Sequence, residues 1–306
     1  MRLKKLLVAG VAVLVAGLTA ACSNGSKSSS KDYTPKSLQI QFVPSQNAAT
    51  LEARAKPLEK MLSKKLDIPV HVTTSTSFNA PIEAMASKKV DVAFLPPAGY
   101  VLAHKRGVAD VLLQAERYGV EQPNGKFTKK LVKSYRAEIL VKKGSKIKSW
   151  KDLKGKSISI QDPTSSSGYV YPVAELKEKG LDVTKDCKLV TVTGHDQAVL
   201  NVLNGDTDAA FVFEDARNTV LKDKPNIMKE VIPIYFTHAI PNDTISVRSD
   251  MSPAFRKKLA KAFIEISKSK EGRKIIESVY NQEGYTYAKD SDFNEVRHYD
   301  EIVNKK

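Results

Sequence analysis

The sequence predicts a two-lobed α/β protein in which each lobe is a mixed, mainly parallel sheet flanked by helices. Strands alternate with helices over most of the chain, which is typical of βαβ units. The same order of elements starts again after Tyr135, so a second lobe of similar plan is expected. The length of 306 residues suits two lobes, and 42% hydrophobic residues suffice for a sizeable core. This composition excludes global disorder and collagen-like or coiled-coil structure.

The first lobe is predicted from three strands and two helices. Residues 37–43 alternate polar and apolar side chains, as in a strand with one buried face. A helix at residues 48–66 follows, because its apolar residues fall on one face. The next strand, helix and strand are predicted at residues 68–72, 80–87 and 90–94.

The second lobe repeats this alternation. Phe78 and His195 each open a helix that leads, at the same offset, into a strand. If the lobes face each other, both residues look into one cleft. The predicted strands are 138–141, 156–161, 189–192 and 208–213, and the predicted helices are 150–153, 169–179 and 197–203.

The C-terminal part contains a strand at residues 244–247 and two helices at residues 253–268 and 272–280, without a sheet of its own. It must therefore pack on an existing lobe, and we place it on the first. The chain then crosses between the lobes twice, near residues 133–137 and 240–246, which forms a two-strand hinge. The predicted boundaries are residues 36–134 plus 246–306 for the first lobe and residues 135–245 for the second.

The N-terminus predicts export and lipid anchoring. Positive residues among the first five precede an apolar run at residues 6–21, which is too short to span a bilayer. The placement of Cys22 resembles a bacterial lipobox, in which the cysteine is lipidated; a plain signal with an incidental cysteine is the alternative. We predict a signal peptide at residues 1–21, a flexible tether at residues 22–35 and anchorage to the cell membrane, outside the cytoplasm. Cys187 is the only other cysteine, so no intramolecular disulfide is expected.

The net charge is 49 − 34 = +15, which predicts an anionic partner. This partner is nucleic acid, an anionic surface or an anionic ligand. Scattered lysines with few interleaved aromatic residues argue against nucleic acid. The five histidines lack paired metal-ligand spacing, so no metal site is predicted. Residues 155–157 resemble the end of a phosphate-binding loop, but Trp150 stands where its first glycine belongs. No cofactor is predicted.

The strongest candidate for a ligand site is the serine-rich turn at residues 162–168, between a strand and a helix. The start of a helix offers unpaired N–H groups and a partial positive charge. Together with the hydroxyl groups of Ser165, Ser166 and Ser167, they form a receptor for a tetrahedral oxyanion. An ordinary serine cap followed by a polar turn is the alternative interpretation.

Three further polar residues lie at the ends of predicted elements. His195 can donate a hydrogen bond to an anionic ligand, or it can cap its own helix. Asp215 follows the last strand of the second lobe, and Asp243 lies at the second crossing. Taken alone, such a carboxylate is more often a turn or cap residue.

Taken together and in order, these features resemble the phosphonate-binding lipoproteins of ABC importers, over essentially all of the mature chain. The resemblance implies the type II periplasmic-binding-protein fold, with a ligand cleft between the lobes. The segments that carry the resemblance are the lipobox, residues 162–168, residues 194–196, residues 204–210, residues 214–217 and residues 240–248.

The resemblance also implies roles for residues at the anionic end of a phosphonate. The three serines at residues 165–167 match the helix start that holds the phosphonyl group. His195 matches a histidine donor of the family, and Tyr135 matches a tyrosine at the first crossing. Phe78 stands where the family usually has a tyrosine, so one hydroxyl contact is missing.

At the other end of the ligand, Asp215 and Asp243 match acidic residues that hold a ligand amine. Two carboxylates beside an anion repel it unless a cation lies between them. This reasoning predicts a preference for aminoethylphosphonate. If the acids pair with Arg217 or Arg248 instead, alkylphosphonates or phosphite are expected to bind best.

The sequence thus predicts a monomeric solute-binding lipoprotein without catalytic activity. It captures a phosphonate or a related phosphorus oxyanion and delivers it to an ABC permease and its ATPase. Alternative ligands are phosphite, phosphate, a sulfonate or a thiamine precursor. Alternatives from other classes are an adhesin and a secreted serine hydrolase with Ser167, His195 and Asp215 as its triad, although no Gly-x-Ser-x-Gly motif surrounds the serines.

Overall fold

The structure is a computed structural model that describes residues 32–305. The predicted signal peptide, Cys22 and the tether up to residue 31 lie outside the described residues. Two sheets flanked by helices form one compact unit with two lobes, which confirms the predicted fold class. Within this part of the chain, no helix is both long and apolar enough to cross a membrane.

The first lobe is built on a seven-stranded sheet. Its strands are β1 (Leu38–Phe42), β2 (Val70–Thr74), β3 (Val92–Leu95), β4 (Ala109–Glu121), β5 (Lys126–Val132), β11 (Thr244–Arg248) and β12 (Gly284–Tyr287). β1 pairs in parallel with β2 and β3, whereas β11, β4, β12 and β5 continue the sheet by antiparallel pairing. Leu38, Ile40 and Phe42 of β1 are buried, in agreement with the predicted alternation.

The second lobe contains a five-stranded sheet in the order β10-β6-β9-β7-β8. Its strands are β6 (Ser134–Lys142), β7 (Ser157–Ile160), β8 (Lys188–Thr191), β9 (Ala209–Phe213) and β10 (Val231–Pro241). β7 pairs in parallel with β8 and β9, and β6 pairs antiparallel with β9 and β10. The carboxyl ends of β7 and β9 therefore lie at one edge of the sheet, where polar loops meet.

Eleven α-helices within the described residues cover the sheets. In the first lobe and the tail they are α1 (Ala48–Ala55), α2 (Pro57–Leu66), α3 (Ala80–Ala86), α4 (Pro97–Lys105), α9 (Pro253–Lys268), α10 (Lys270–Tyr280) and α11 (Asn294–Asn304). In the second lobe they are α5 (Tyr171–Glu178), α6 (Val183–Asp186), α7 (His195–Asn204) and α8 (Ile227–Glu230). The single helix predicted at residues 48–66 is two helices, because Pro57 lacks an N–H group and starts α2.

The C-terminal part differs from the prediction in two respects. It contributes a second strand, β12, to the first sheet, and this strand was not predicted. Its last helix, α11, contacts both lobes, since Val296 packs in the same hydrophobic cluster as Tyr100 of α4 and Tyr171 of α5. Helices α9 and α10 pack on the first lobe as predicted.

The chain passes between the two sheets twice, and the two passages lie side by side. Asn242 N donates to Lys133 O at 2.8 Å, and the Asn242 side chain donates to Val132 O at 2.9 Å. One boundary is corrected by two residues: Thr244 and Ile245 pair with β3 and β4 of the first sheet rather than belonging to the second lobe.

The first lobe also includes residues before residue 35, the predicted end of the tether. Tyr33 forms a backbone bridge with Met251, and its hydroxyl donates to Asp91 at 2.8 Å. The Arg248 guanidinium lies 3.9 Å from the centre of the Tyr33 ring. Tyr33 is therefore part of the first lobe.

Candidate ligand-binding cavity

A cavity of about 60 Å³ lies between the lobes, beside the two crossings. This volume holds about four to six water-sized spheres, at ~10–15 Å³ for each. Six of the eight ligand residues predicted from the sequence line it: Phe78, Tyr135, Ser165, Ser167, His195 and Asp243. The cavity is therefore small, and it collects most of the predicted residues from both lobes.

Ser166 and Asp215 do not line the cavity. Several lining residues were not predicted as ligand contacts, among them Ser45, Arg117, Phe213, Asn242, Tyr280 and Asn281. Most of these come from the first lobe or the tail, where no ligand contact except Phe78 was predicted.

The serine-rich turn begins a short π-helical turn (Ser166–Val170) that continues into α5. Ser165 Oγ accepts a hydrogen bond from Gly168 N at 3.2 Å, so it caps this turn and its own O–H stays free to donate. Ser166 Oγ accepts from Ala98 N of the first lobe at 2.9 Å. Ser166 therefore connects the lobes, and it does not line the cavity. Ser167 lies in the cavity wall, next to Tyr135.

Gln161, at the end of β7, fixes the serine-rich turn relative to the start of α7. Its side chain accepts from Gly194 N at 3.0 Å and donates to Gly194 O at 3.2 Å. Its backbone N–H donates to Gly168 O at 3.0 Å. A Cβ atom on Gly168 would lie 2.3 Å from Gln161 Cγ, so only glycine fits there. Nothing in the sequence distinguishes Gln161 from an ordinary polar residue after a strand.

His195 begins α7, as the sequence predicts, and is buried. Burial lowers the pKa of His195 to about 3, so the ring is neutral at physiological pH. Its Nδ1 is buried without a hydrogen-bond partner among the described residues. The rings of Phe213 and Phe78 pack edge-on against it, with centroids 4.7 Å and 6.3 Å away. Phe78 and His195 thus face one cleft, as their similar positions in the two lobes predicted.

Arg117 is the main residue that the sequence analysis missed. It reaches from β4 of the first lobe and forms an ion pair with Asp215 of the second lobe, in which the two side chains are 10% and 0% exposed. Asn281 Nδ2 also donates to Asp215 at 3.2 Å. Burial favours a lower pKa for Arg117, but the charge of Asp215 and its hydrogen bond, together with the charge of Glu214, outweigh burial and raise the pKa. In this structure Arg117 therefore occupies the position beside Asp215 that the resemblance assigns to a ligand amine.

Asp243 lies in the cavity wall at the second crossing, and its carboxyl group forms no hydrogen bond with another described residue. Burial raises the pKa of Asp243 to about 7, although Arg117 opposes the shift. Burial also raises the pKa of Tyr135, and Asp243 adds to this effect. Arg117 Cζ lies 5.8 Å from the centre of the Tyr135 ring. Asp243 can therefore be protonated at neutral pH and can share a proton with a bound anion.

The cavity residues do not form the serine-protease type of triad. A triad requires an aspartate bonded to Nδ1 of the histidine. Nδ1 of His195 has no partner in the described part of the chain, and Asp215 is bound by Arg117 and Asn281. Cys187 lies outside the cavity, where its thiol contacts Leu153 O at 3.1 Å.

A comparison with protein families identifies the family of the chain. The sequence profile of the family described as "ABC transporter, phosphonate, periplasmic substrate-binding protein" matches residues 40–293. The chain belongs to this family. The match covers both lobes and the cavity between them. Members of this family are transport proteins that act outside the cytoplasm.

Individual relatives are distant. The chain is 26% identical over 269 residues to the phosphate-import protein PhnD of Mycolicibacterium smegmatis, which covers 84% of this chain and 81% of the relative. It is 24% identical over 246 residues to the phosphonates-binding periplasmic protein of Escherichia coli, with 79% and 70% of the chains covered. The structure of PhnD1 from Prochlorococcus marinus in complex with methylphosphonate has a TM-score of 0.76 and 20% identity, covering 89% of this chain and 100% of that one. This structural similarity supports the same two-lobed fold for this chain.

Proposed function

We propose that this phosphonate-family binding protein captures a small phosphorus oxyanion, such as methylphosphonate, phosphite or phosphate, without changing it chemically. The observation that carries this proposal is the pairing of Asp215 with Arg117. With its charge neutralised, Asp215 no longer needs a ligand amine. A cavity of about 60 Å³ also suits a compact anion better than one with an aminoethyl tail.

Five side chains are proposed to contact the oxyanion. Ser165 and Ser167 donate their O–H groups, and neutral His195 donates one N–H. Tyr135 adds a hydroxyl and Arg117 supplies positive charge. Each hydrogen bond to a charged group contributes about 1.5–3 kcal/mol, so this set supports tight binding of one anion.

Asp243 supports selection of phosphorus oxyanions over sulfonates. A carboxyl group with a pKa of about 7 can share a proton with a phosphonate or phosphate, whose oxygens carry a proton near neutral pH. A sulfonate carries no proton at that pH. Once the Asp243 carboxyl group is ionised, neither it nor the sulfonate has a proton to share, so the two negative charges repel each other.

The proposal is tested by calorimetry of the ligand-free protein against methylphosphonate, phosphite, phosphate, aminoethylphosphonate and taurine. We expect one of the first three to bind at least about tenfold more tightly than aminoethylphosphonate, a difference of ~1.4 kcal/mol. Taurine should show no saturable binding. Tightest binding of aminoethylphosphonate would contradict the assignment of a small ligand, because its tail would have found both space and a free carboxylate.

A matched pair of variants locates the site in that experiment. Ser167→Ala should weaken each phosphorus ligand by about tenfold or more, since one charged hydrogen bond is lost. Ser291→Ala, in the tail and outside the cavity lining, should leave affinity unchanged. If both variants bind the ligand equally tightly, the serine-rich turn is not part of the site.

In the cell, we propose that the monomer is held at the outer face of the membrane by a lipid on Cys22 and delivers its ligand to an ABC permease and its ATPase. A diacyl group on the cysteine gives stable attachment, whereas a single chain binds reversibly. Cys22→Ser should abolish incorporation of labelled palmitate, and Cys187→Ser should leave it unchanged. Undiminished labelling of Cys22→Ser would refute the anchor.

A further inference from the structure

Three helices on the outside of the first lobe carry most of the positive charge of the body. Helices α2, α9 and α10 contain 11 Lys and Arg against 4 Asp and Glu, or 11 − 4 = +7. Residues 32–305 contain 43 basic and 34 acidic residues, or 43 − 34 = +9. All other described residues together therefore carry only +2. The three helices pack on one hydrophobic cluster and form a single face, which we call the basic face.

A groove of about 800 Å³ lies between α2 and α9 in this face. Its wall contains five lysines: Lys60, Lys64, Lys65, Lys258 and Lys261. Glu265 pairs with Lys65 at 2.6 Å and lies 3.8 Å from Lys261. Lys60 and Lys64 are exposed and form no ion pair with a described residue. The groove therefore presents unneutralised ammonium groups to solvent.

The N-terminal segment reaches the body beside this face. Ser252, which caps α9, donates its backbone N–H to Tyr33 O at 2.8 Å, and its hydroxyl lies 2.8 Å from Thr34 Oγ1. Thr34 and Lys258 line the same surface depression. Nine residues lie between Cys22 and residue 32, and the ten residue steps from one to the other span at most about 35 Å. A lipid at Cys22 would thus hold the basic face close to the membrane.

We propose that α2, α9 and α10 form a docking surface for anionic lipid headgroups, which rests on the lipid anchor proposed above. The charge complements phosphate groups of the membrane, and the short tether places the surface within reach. Each lysine close to an anionic bilayer strengthens partitioning by about fivefold. Exposed charges act over roughly 10 Å at 0.1 M salt, so this docking weakens as salt rises.

The position of the basic face explains how docking is compatible with ligand capture. The residues beneath it, such as Leu62, Leu259 and Phe263, belong to a cluster confined to the first lobe and the tail packed on it. The second lobe contributes nothing to the face and stays free to move. Docking orients the body without holding the lobes together, so ligand affinity should not depend on it.

The test uses the chain from residue 32, which folds on its own because both sheets and their hydrophobic clusters lie within residues 32–305. Flotation is measured with vesicles of phosphatidylcholine and with vesicles containing 30% phosphatidylglycerol, at 0.1 M and 0.5 M salt. The face variant carries Lys60→Gln, Lys64→Gln, Lys257→Gln and Lys261→Gln. The control carries Lys143→Gln, Lys148→Gln, Lys188→Gln and Lys222→Gln, which removes the same charge from exposed positions of the second lobe.

We expect the unmodified chain to bind only the anionic vesicles and to release at 0.5 M salt. The face variant should bind at least tenfold more weakly, and the control should bind within about twofold of the unmodified chain. Equal weakening of both variants, or no binding to anionic vesicles at 0.1 M salt, would overturn the proposal. Ligand affinity is measured on the same samples and should be unchanged. Failure of ligand binding or of palmitate labelling would concern the proposed function, since the vesicle test depends on neither.

Discussion

Replacing Arg117 with methionine should weaken binding of the phosphorus ligand by at least about a hundredfold. The ion pair with Asp215 joins the two lobes, so it stabilises only the closed arrangement in which both lobes surround the ligand. Removing one partner of a buried ion pair costs about 3–5 kcal/mol, because the other charge is left buried and unpaired. In addition, the cavity loses the cation that faces the anion. Calorimetry with methylphosphonate, phosphite and phosphate measures the loss.

The double variant Arg117→Met, Asp215→Leu separates these two causes. Replacing both members of a buried pair with apolar side chains is often neutral for stability. We therefore expect the double variant to regain the thermal stability that the single variant loses, while its affinity stays at least about tenfold below that of the unmodified protein. Unchanged affinity of the Arg117→Met protein would show that Arg117 has no part in the site.

The alternation of elements explains why the two-lobed fold was predictable. Strand β1 alternates buried and partly exposed residues, and helix α7 ends at Gly205, whose positive φ of 86° favours glycine. These signals are local, so one sequence reveals them. The β4–β5 hairpin was missed because residues 126–133 are dominated by lysine and resemble a solvated loop.

Because this hairpin was not predicted, the partner of Asp215 was not predicted either. Its partner Arg117 is 98 residues away in the chain, so no local pattern connects them. A signal was nonetheless present: Leu113, Ala115 and Arg117 alternate along β4 and are all buried on one side of the strand. An arginine at an inward position of a strand requires a buried partner. By contrast, Ser167 and His195 start helical segments, and this position is visible in the sequence itself.

Asp243 gives the protein a defined response to pH in the absence of ligand. Its pKa is about 7 in the closed cavity and about 3.9 for a hydrated aspartate. At pH values between these two pKa values, Asp243 therefore takes up a proton when the cavity closes. The closed form loses stability relative to the open form as pH rises from about 4 to about 7, and loses no more above that. The raised pKa thus opposes closure of the empty cavity at physiological pH.

Ligand affinity should fall about tenfold per pH unit above pH 7, because the free carboxyl group and the free anion have then lost their protons, whereas the closed complex still holds one proton between Asp243 and the anion. Asp243→Asn should abolish this slope, since an amide donates a hydrogen bond without taking up a proton. Calorimetry from pH 6 to pH 9, in buffers of different ionisation enthalpy, counts the protons taken up on binding. We expect a net uptake near one at pH 8 for the unmodified protein and near zero for the variant. The same slope and the same uptake in both proteins would assign the shared proton to another group.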